Sequence, residues 1–156
     1  MGHSGHSLLS PQWAGTPVVE LTSDRSIVER FLEIERAWLD ALATQGIGTE
    51  ATRRALAPVS IDDALVGSIA ESAWQAGNPA VGFVQYLRAQ LTEEAHAEAV
   101  FHAGLTSQDL VDTAMMMTAR AALNNLEEDL ADIVSSLASL AERYAETVCV
   151  TRTLTR

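Results

Sequence analysis

Lysine is absent from this 156-residue sequence, so its ten basic residues are all arginines. Set against 21 acidic residues, they leave a formal net charge of -11. Binding to a nucleic-acid backbone needs clustered cations that displace counterions from phosphate, and these arginines are dispersed. Nucleic acid is therefore excluded as a partner. An anionic small molecule is not, because a local site can be positive within a negative protein. Cysteine occurs once, as Cys149. That excludes a disulfide within the chain and a Cys-rich zinc site, and it fits a cytoplasmic location. No run reaches the roughly 18 apolar residues of a membrane span. The opening MGHSGHSLLSPQW has neither the basic region nor the apolar stretch of a signal peptide. A membrane is accordingly not expected as a partner. Aromatics make up only 5% of the residues and there are four prolines. A core drawn from such a sequence must be aliphatic, and its abundance of Ala and Leu favours an all-α fold.

What is present reads as a series of helices. Residues 1 to about 22 are punctuated by Pro11, Gly15 and Pro17 and read as irregular, with Val18, Val19 and Leu21 able to pack on the core. A helix opens at Ser23 or Asp24 and presents Ile27, Val28, Phe31, Leu32, Trp38, Leu39 and Leu42 before Gly46 stops it. A second covers Glu50 to Leu56. Ser60 and Asp63 have capping-box spacing for a third, which carries Leu65, Ile69 and Trp74 and ends at Gly77. Asn78-Pro79 opens a fourth, running to about Leu91. Thr92, followed by Glu93 and Glu94, caps a fifth that ends at the His102 to Gly104 segment. From Thr106 to Thr147 there is neither Gly nor Pro, which predicts one helix of roughly 40 residues, or about 60 Å. Leu123, Leu126, Leu130, Ile133, Leu137, Leu140 and Tyr144 recur along it at steps of three and four, a heptad seam. Helices that this chain does not contain must cover that seam. Met115, Met116 and Met117 are expected to pack in such a bundle, and Cys149 to be buried rather than nucleophilic.

The segment His102-Ala103-Gly104-Leu105-Thr106-Ser107-Gln108-Asp109 carries the chemistry. A Gly turn leads into a helix N-terminus, where free N–H groups and the helix dipole attract an anion. The hydroxyls of Thr106 and Ser107 suit a carboxylate, and His102 can donate a hydrogen bond or proton to the same ligand. The plainer reading is ordinary capping by Thr106 and Asp109, with His102 at the surface. Elsewhere the signals are structural. Glu33 and Glu35 lie two apart and do not share a helix face. His96 sits in an acidic, solvated helix. No His-Glu-x-x-His metal motif and no phosphate loop occur.

The run HAGLTSQDLVDTAMMMTAR resembles the Thr-Ser-Gln-Asp segment of the fumarase/aspartase superfamily, which opens the first long helix of a central bundle. SLLSPQWAG followed by TSDRSIVERFLEIERAWLDAL, and then GNPAVGFVQYLRAQL, resemble its carboxymuconate cycloisomerase branch. The lyases of the superfamily carry Thr-His-x-Gln in a second region. The matching text here is Arg152-Thr153-Leu154-Thr155-Arg156, with Leu154 where that His would stand, as in the cycloisomerase branch. The resemblance implies a small helical domain over residues 1–105 and the start of a helical-bundle domain over 106–156. It also implies a homo-oligomer, a tetramer in full-length relatives, and a site assembled from several subunits. The implied reaction closes 3-carboxy-cis,cis-muconate to a lactone, with no cofactor and no metal. Its site residues would be His102, Ser107 and Thr153 in catalysis, and Thr106, Ser107, Gln108 and Arg152 in holding a di- or tricarboxylate substrate. Glu35 fits a position of the family as structural support. A third region of the superfamily, a Gly-Ser-Ser-x-Met-Pro loop, is not in the chain, so the chain alone is expected to be inactive. Two alternatives stand beside this reading. One is another lyase of the superfamily, such as adenylosuccinate lyase. The other is a non-catalytic helical assembly protein.

Overall fold

Capping and apolar periodicity account for most of the architecture seen in the computed structural model. It describes residues 11–47, 50–91, 99–150, 152 and 154, with 50–52 as backbone only. Every regular element among them is helical. The opening segment is less irregular than expected. Pro11–Trp13 forms a 3-10 turn and Pro17–Leu21 forms a short helix, α1. Thr16 is extended and Pro17 occupies the first turn, where proline's missing N–H costs nothing.

The long second helix, α2 (Asp24–Thr44), begins where Ser23 accepts a hydrogen bond from the Ser26 N–H. Val28, Phe31, Leu32 and Leu39 bury its apolar face. α3 spans Glu50–Leu56, the bounds that its sequence predicts. The Arg36 guanidinium, reaching from α2, donates to the carbonyls of Leu56 (2.8 Å), Ala57 (3.3 Å) and Val59 (3.1 Å). It thereby satisfies acceptors that the end of a helix leaves open.

α4 (Asp63–Ala76) is capped by Asp62, whose side chain accepts from the Leu65 N–H at 2.8 Å. Ser60, the expected cap, lies too far upstream. Trp74 also departs from expectation and is exposed. It stands five residues after Ile69, about 140° around the helix from the buried Leu65–Ile69 line. Gly77 ends α4 in the left-handed conformation that favours glycine. Asn78 then caps α5 (Pro79–Gln90).

α4 and α5 pack together closely at Gly82. A Cβ placed there would lie 2.7 Å from both Cβ and Oγ of Ser72. Ala gains about 1 kcal/mol over Gly in helix propensity, but forcing a methyl into a packed contact costs about 1–3 kcal/mol. Gly82→Ala is therefore expected to lower stability, by up to about 2 kcal/mol. Urea denaturation would show a lower midpoint, whereas a raised one would mean that Ser72 yields freely.

Phe31, Leu56, Phe83, Leu87, Leu91, Phe101 and Leu110 are fully buried and form the centre of the core. Phe31 and Phe83 meet with ring centroids 5.5 Å apart. Such side chains stabilise the fold by roughly 1.5–3 kcal/mol each relative to exposure.

The last helix, α6, runs unbroken from Ser107 to Arg143, ending about one turn short of Thr147. The chain divides into two compact units, the first ending at Ala122 and the second starting at Leu123. Leu110 and Ala114, on the first turns of α6, are buried in the first unit. Met115 and Met116 are exposed and Met117 is half-buried.

In the second unit the seam Leu123, Leu126, Leu130, Ile133, Leu137, Leu140 and Tyr144 stands about half exposed or more along its length. Cys149, expected to be buried, is exposed, and so are its neighbours Val148 and Val150. The physical reason is that this segment lies beyond the end of α6, where no described residue of its unit packs over it. Among the described residues no helix is long and apolar enough to cross a membrane. Of the expected fifth helix, the start at Thr92 and His96 lie outside the described residues, while Ala99 and Val100 at its end are helical and lead into the turn at 101–104.

Candidate active site

Helix α2 and the turn at residues 101–105 build the only part of the described structure where a charged side chain is fully buried. On α2, positions 28, 31, 32, 35 and 39 fall on one helical face. Four of them are apolar, and the fifth is Glu35, with no exposed surface. Its Oε1 pairs with Nδ1 of His102 across 67 positions of sequence. The His102 side chain is only 11% exposed. Glu35 Oε2 is buried with no hydrogen-bond partner. Burial pushes the Glu35 carboxyl above its usual value, while the bond to His102, the charge of His102 and then the charge of Arg88 act to lower it.

One turn further along α2, the Trp38 indole N–H donates to the Ala103 carbonyl at 2.8 Å. Arg88, from α5, donates to the Phe101 carbonyl at 3.4 Å. Side chains from two helices thus hold three consecutive residues of the turn. His102 itself adopts φ 58°, the left-handed region that residues other than glycine seldom enter. Gly104, at φ 81°, completes the reversal into α6.

The start of α6 is capped as its sequence predicts. The N–H and the hydroxyl of Thr106 both donate to Asp109 Oδ2, at 2.8 and 3.0 Å, and the Asp109 N–H returns a 3.4 Å bond to the Thr106 oxygen. These bonds, the backbone one foremost, hold the Asp109 carboxyl below its usual range, and the charge of His102 adds to the effect. Gln108 pairs with Asp112 one turn on. The half-buried Ser107 makes no side-chain hydrogen bond to another described residue, which leaves its hydroxyl free for a ligand.

The arrangement brings His102, Thr106, Ser107 and Gln108 onto one turn and one helix start. Arg152 is exposed and belongs to the second unit, and Thr153 lies outside the described residues. A neighbouring open cleft of about 490 Å³ runs between α2 and α6 and is lined mainly by Ile34, Ala37, Trp38, Leu105, Thr113 and Met117. It is largely apolar, and of the capping segment only Leu105 and Asp109 reach it.

Glu35 was expected only as structural support and Trp38 only on the apolar face, and the structure ties both to the turn at 101–105. The signal for Glu35 was available. A carboxylate in the middle of an apolar helical stripe must find a partner in the core.

A family model described as Lyase matches residues 19–156. The chain belongs to this lyase family. Among relatives, it is 33% identical over 151 residues to a 3-carboxy-cis,cis-muconate cycloisomerase of Bradyrhizobium diazoefficiens, covering 94% of this chain and 33% of that protein. A nitrosuccinate lyase of Streptomyces davaonensis is 36% identical over 150 residues, covering 95% of this chain and 32% of that one. Of the solved structures, the 3-carboxy-cis,cis-muconate lactonizing enzyme from Pseudomonas putida superposes with a TM-score of 0.82 at 28% identity, over 97% of this chain and 35% of the other. The chain therefore spans about a third of the length of the curated relatives it matches. Both the all-α class and the superfamily resemblance expected from the sequence hold.

Proposed function

We propose that this lyase-family chain is the N-terminal part of an enzyme that closes 3-carboxy-cis,cis-muconate to a carboxymuconolactone. What carries the reading is the set of cycloisomerase relatives together with Leu154, which by the resemblance stands where the lyases have their second-region His. Leu cannot transfer a proton, so a reaction that relies on that His is disfavoured. In the cycloisomerisation a carboxylate oxygen of the substrate attacks a double-bond carbon. The C–O bond forms, the π electrons move to the neighbouring carbon, and the resulting enolate-like anion takes a proton there. The substrate supplies the nucleophile, and the enzyme must supply charge stabilisation and the proton.

In this reading Ser107 and Gln108 hold a substrate carboxylate, and His102 orients or polarises it. Thr106 joins them only by giving up its bonds to Asp109. Arg152 and Thr153 meet the substrate from another subunit of a homo-oligomer, a tetramer in the reading taken here. The exposed seam of α6 is the surface on which the further bundle helices pack, with the domain boundary at 105/106.

A second reading is favoured by the 36% identity to the nitrosuccinate lyase, which is at least as high as that to the cycloisomerase. It makes the enzyme a lyase acting on a substituted succinate. The full-length gene product, assayed with 3-carboxy-cis,cis-muconate, nitrosuccinate, adenylosuccinate and fumarate, separates the two. Lactone formation supports the first reading. Elimination from a succinate without lactone formation overturns it.

A further inference from the structure

Stability alone does not explain a carboxylate at position 35. Among the described residues Glu35 is the one charged side chain in the core, and it has no exposed surface. Replacing a buried ion pair by apolar residues of similar volume is often neutral or stabilising. The surroundings at this point of α2 are Phe31, Leu32 and Leu39, which would accept a leucine readily. What Glu35 has instead is a specific partner. Its Oε1 meets Nδ1 of His102, the backbone of His102 adds a weaker influence on the same carboxylate, and Oε2 remains unpaired in the core. The imidazole is 11% exposed and its Nδ1 is taken by Glu35, so Nε2 is the ring nitrogen left for a ligand. The backbone beneath the ring is in the left-handed region, and Trp38 and Arg88 hold the carbonyls on either side. Ring and backbone are thus fixed together.

We infer that Glu35 is a positioning residue for His102: its carboxylate accepts the Nδ1 hydrogen, which leaves Nε2 as the nitrogen that faces substrate. The inference rests on the reading of His102 as part of the active site. Which ring nitrogen carries the proton of a neutral histidine is set by the bond that the other nitrogen makes. Free imidazole side chains in water favour the Nε2–H form. A buried acceptor at Nδ1 reverses that preference and makes Nε2 the acceptor in the neutral ring and the donor in the cation. Arg88, whose charge also acts on Glu35, favours the anionic carboxylate that this role requires.

Two-bond 1H–15N spectra of the histidine-labelled chain test the inference directly. Signals are assigned by their loss in His102→Gln. At a pH of about 8.5, where an imidazole is ordinarily neutral, His102 is expected in the Nδ1–H form. In Glu35→Leu, which leaves no unpaired carboxylate behind, it is expected to revert to Nε2–H. An Nε2–H ring in the unaltered chain, or no change in Glu35→Leu, overturns the inference, and the first result decides even if the variant does not fold.

Kinetics on the full-length enzyme supply the second arm. Glu35→Leu should lower kcat/KM by about tenfold or more and move its pH profile. Glu35→Gln, whose amide oxygen still accepts from Nδ1, should recover part of the loss. An unmoved pH profile overturns the positioning role. If the Nδ1–H form is found but His102→Gln turns over substrate normally, the placement of His102 in the active site fails, while its fixation by Glu35 stands.

Discussion

His102→Ala is expected to cost the chain about 3–5 kcal/mol of stability at neutral pH, the usual penalty for leaving a buried carboxylate uncompensated. From the sequence alone, a histidine at the surface beside the cap would be replaced with little effect on folding. The structure changes that expectation, because the substitution removes the side-chain partner of Glu35 Oε1 while Oε2 already has none. The loss should depend on pH in a definite direction. The Glu35 carboxyl already lies above its usual value because it is buried, and His102 contributes the two leading influences that lower it. Without His102 it must rise further. A carboxyl raised in the folded state holds a proton that the unfolded chain releases, so stability is present below the unfolded value and is lost as pH rises through the folded one. The deficit of His102→Ala relative to the unaltered chain should therefore be small near pH 4 and large at pH 7. Adding Glu35→Leu should restore most of it at pH 7. Urea midpoints at the two pH values measure this. An equal deficit at both, or no rescue by the second change, would show that the Glu35 carboxylate is not the origin of the loss.

Ser107→Ala is expected to act on turnover and not on folding. The cap of α6 belongs to Thr106 and Asp109, and the Ser107 hydroxyl takes no part in it. Removing it should change stability by less than the roughly 1 kcal/mol that a lost cap costs. If the hydroxyl binds the developing charge of the substrate, losing one charge-assisted hydrogen bond costs about 1.5–3 kcal/mol, or roughly one to two decades in kcat/KM. Thermal denaturation and steady-state kinetics of the full-length enzyme would separate the two roles. A lower melting temperature with unchanged turnover would make Ser107 a structural residue and remove the main ligand contact from the proposed site.

The helices were legible in the sequence because their signals are local. α3 has its predicted bounds, α5 opens at Asn78-Pro79, and the absence of Gly and Pro in α6 translates into one unbroken helix. Local ambiguity explains the errors. Ser60 and Asp62 are both good caps, and only the backbone decides that Asp62 reaches the Leu65 N–H. Trp74 is apolar but misses the buried stripe by its helical angle. Of the candidate site, the capping segment was visible as a motif, while its fastening was not. The pairs Glu35–His102 and Trp38–Ala103 join residues about two-fifths of the chain apart, and no periodicity encodes a partner at that distance. The resemblance to the superfamily located the segment, and only the folded chain showed that α2 grips it.

That difference in range has a kinetic side. The bonds between Thr106 and Asp109 span three residues, so they can form in a nascent helix on the timescale of about a microsecond, before any tertiary structure exists. The Glu35–His102 bond spans 67 and must wait for loop closure and for α2 and the turn to meet in a dehydrated core. A short peptide cut from His102 to Asp129 would therefore keep the cap while losing the fixed imidazole. The capping half of the site belongs to the segment; the oriented histidine is a property of the completed domain, acquired only at the end of its folding.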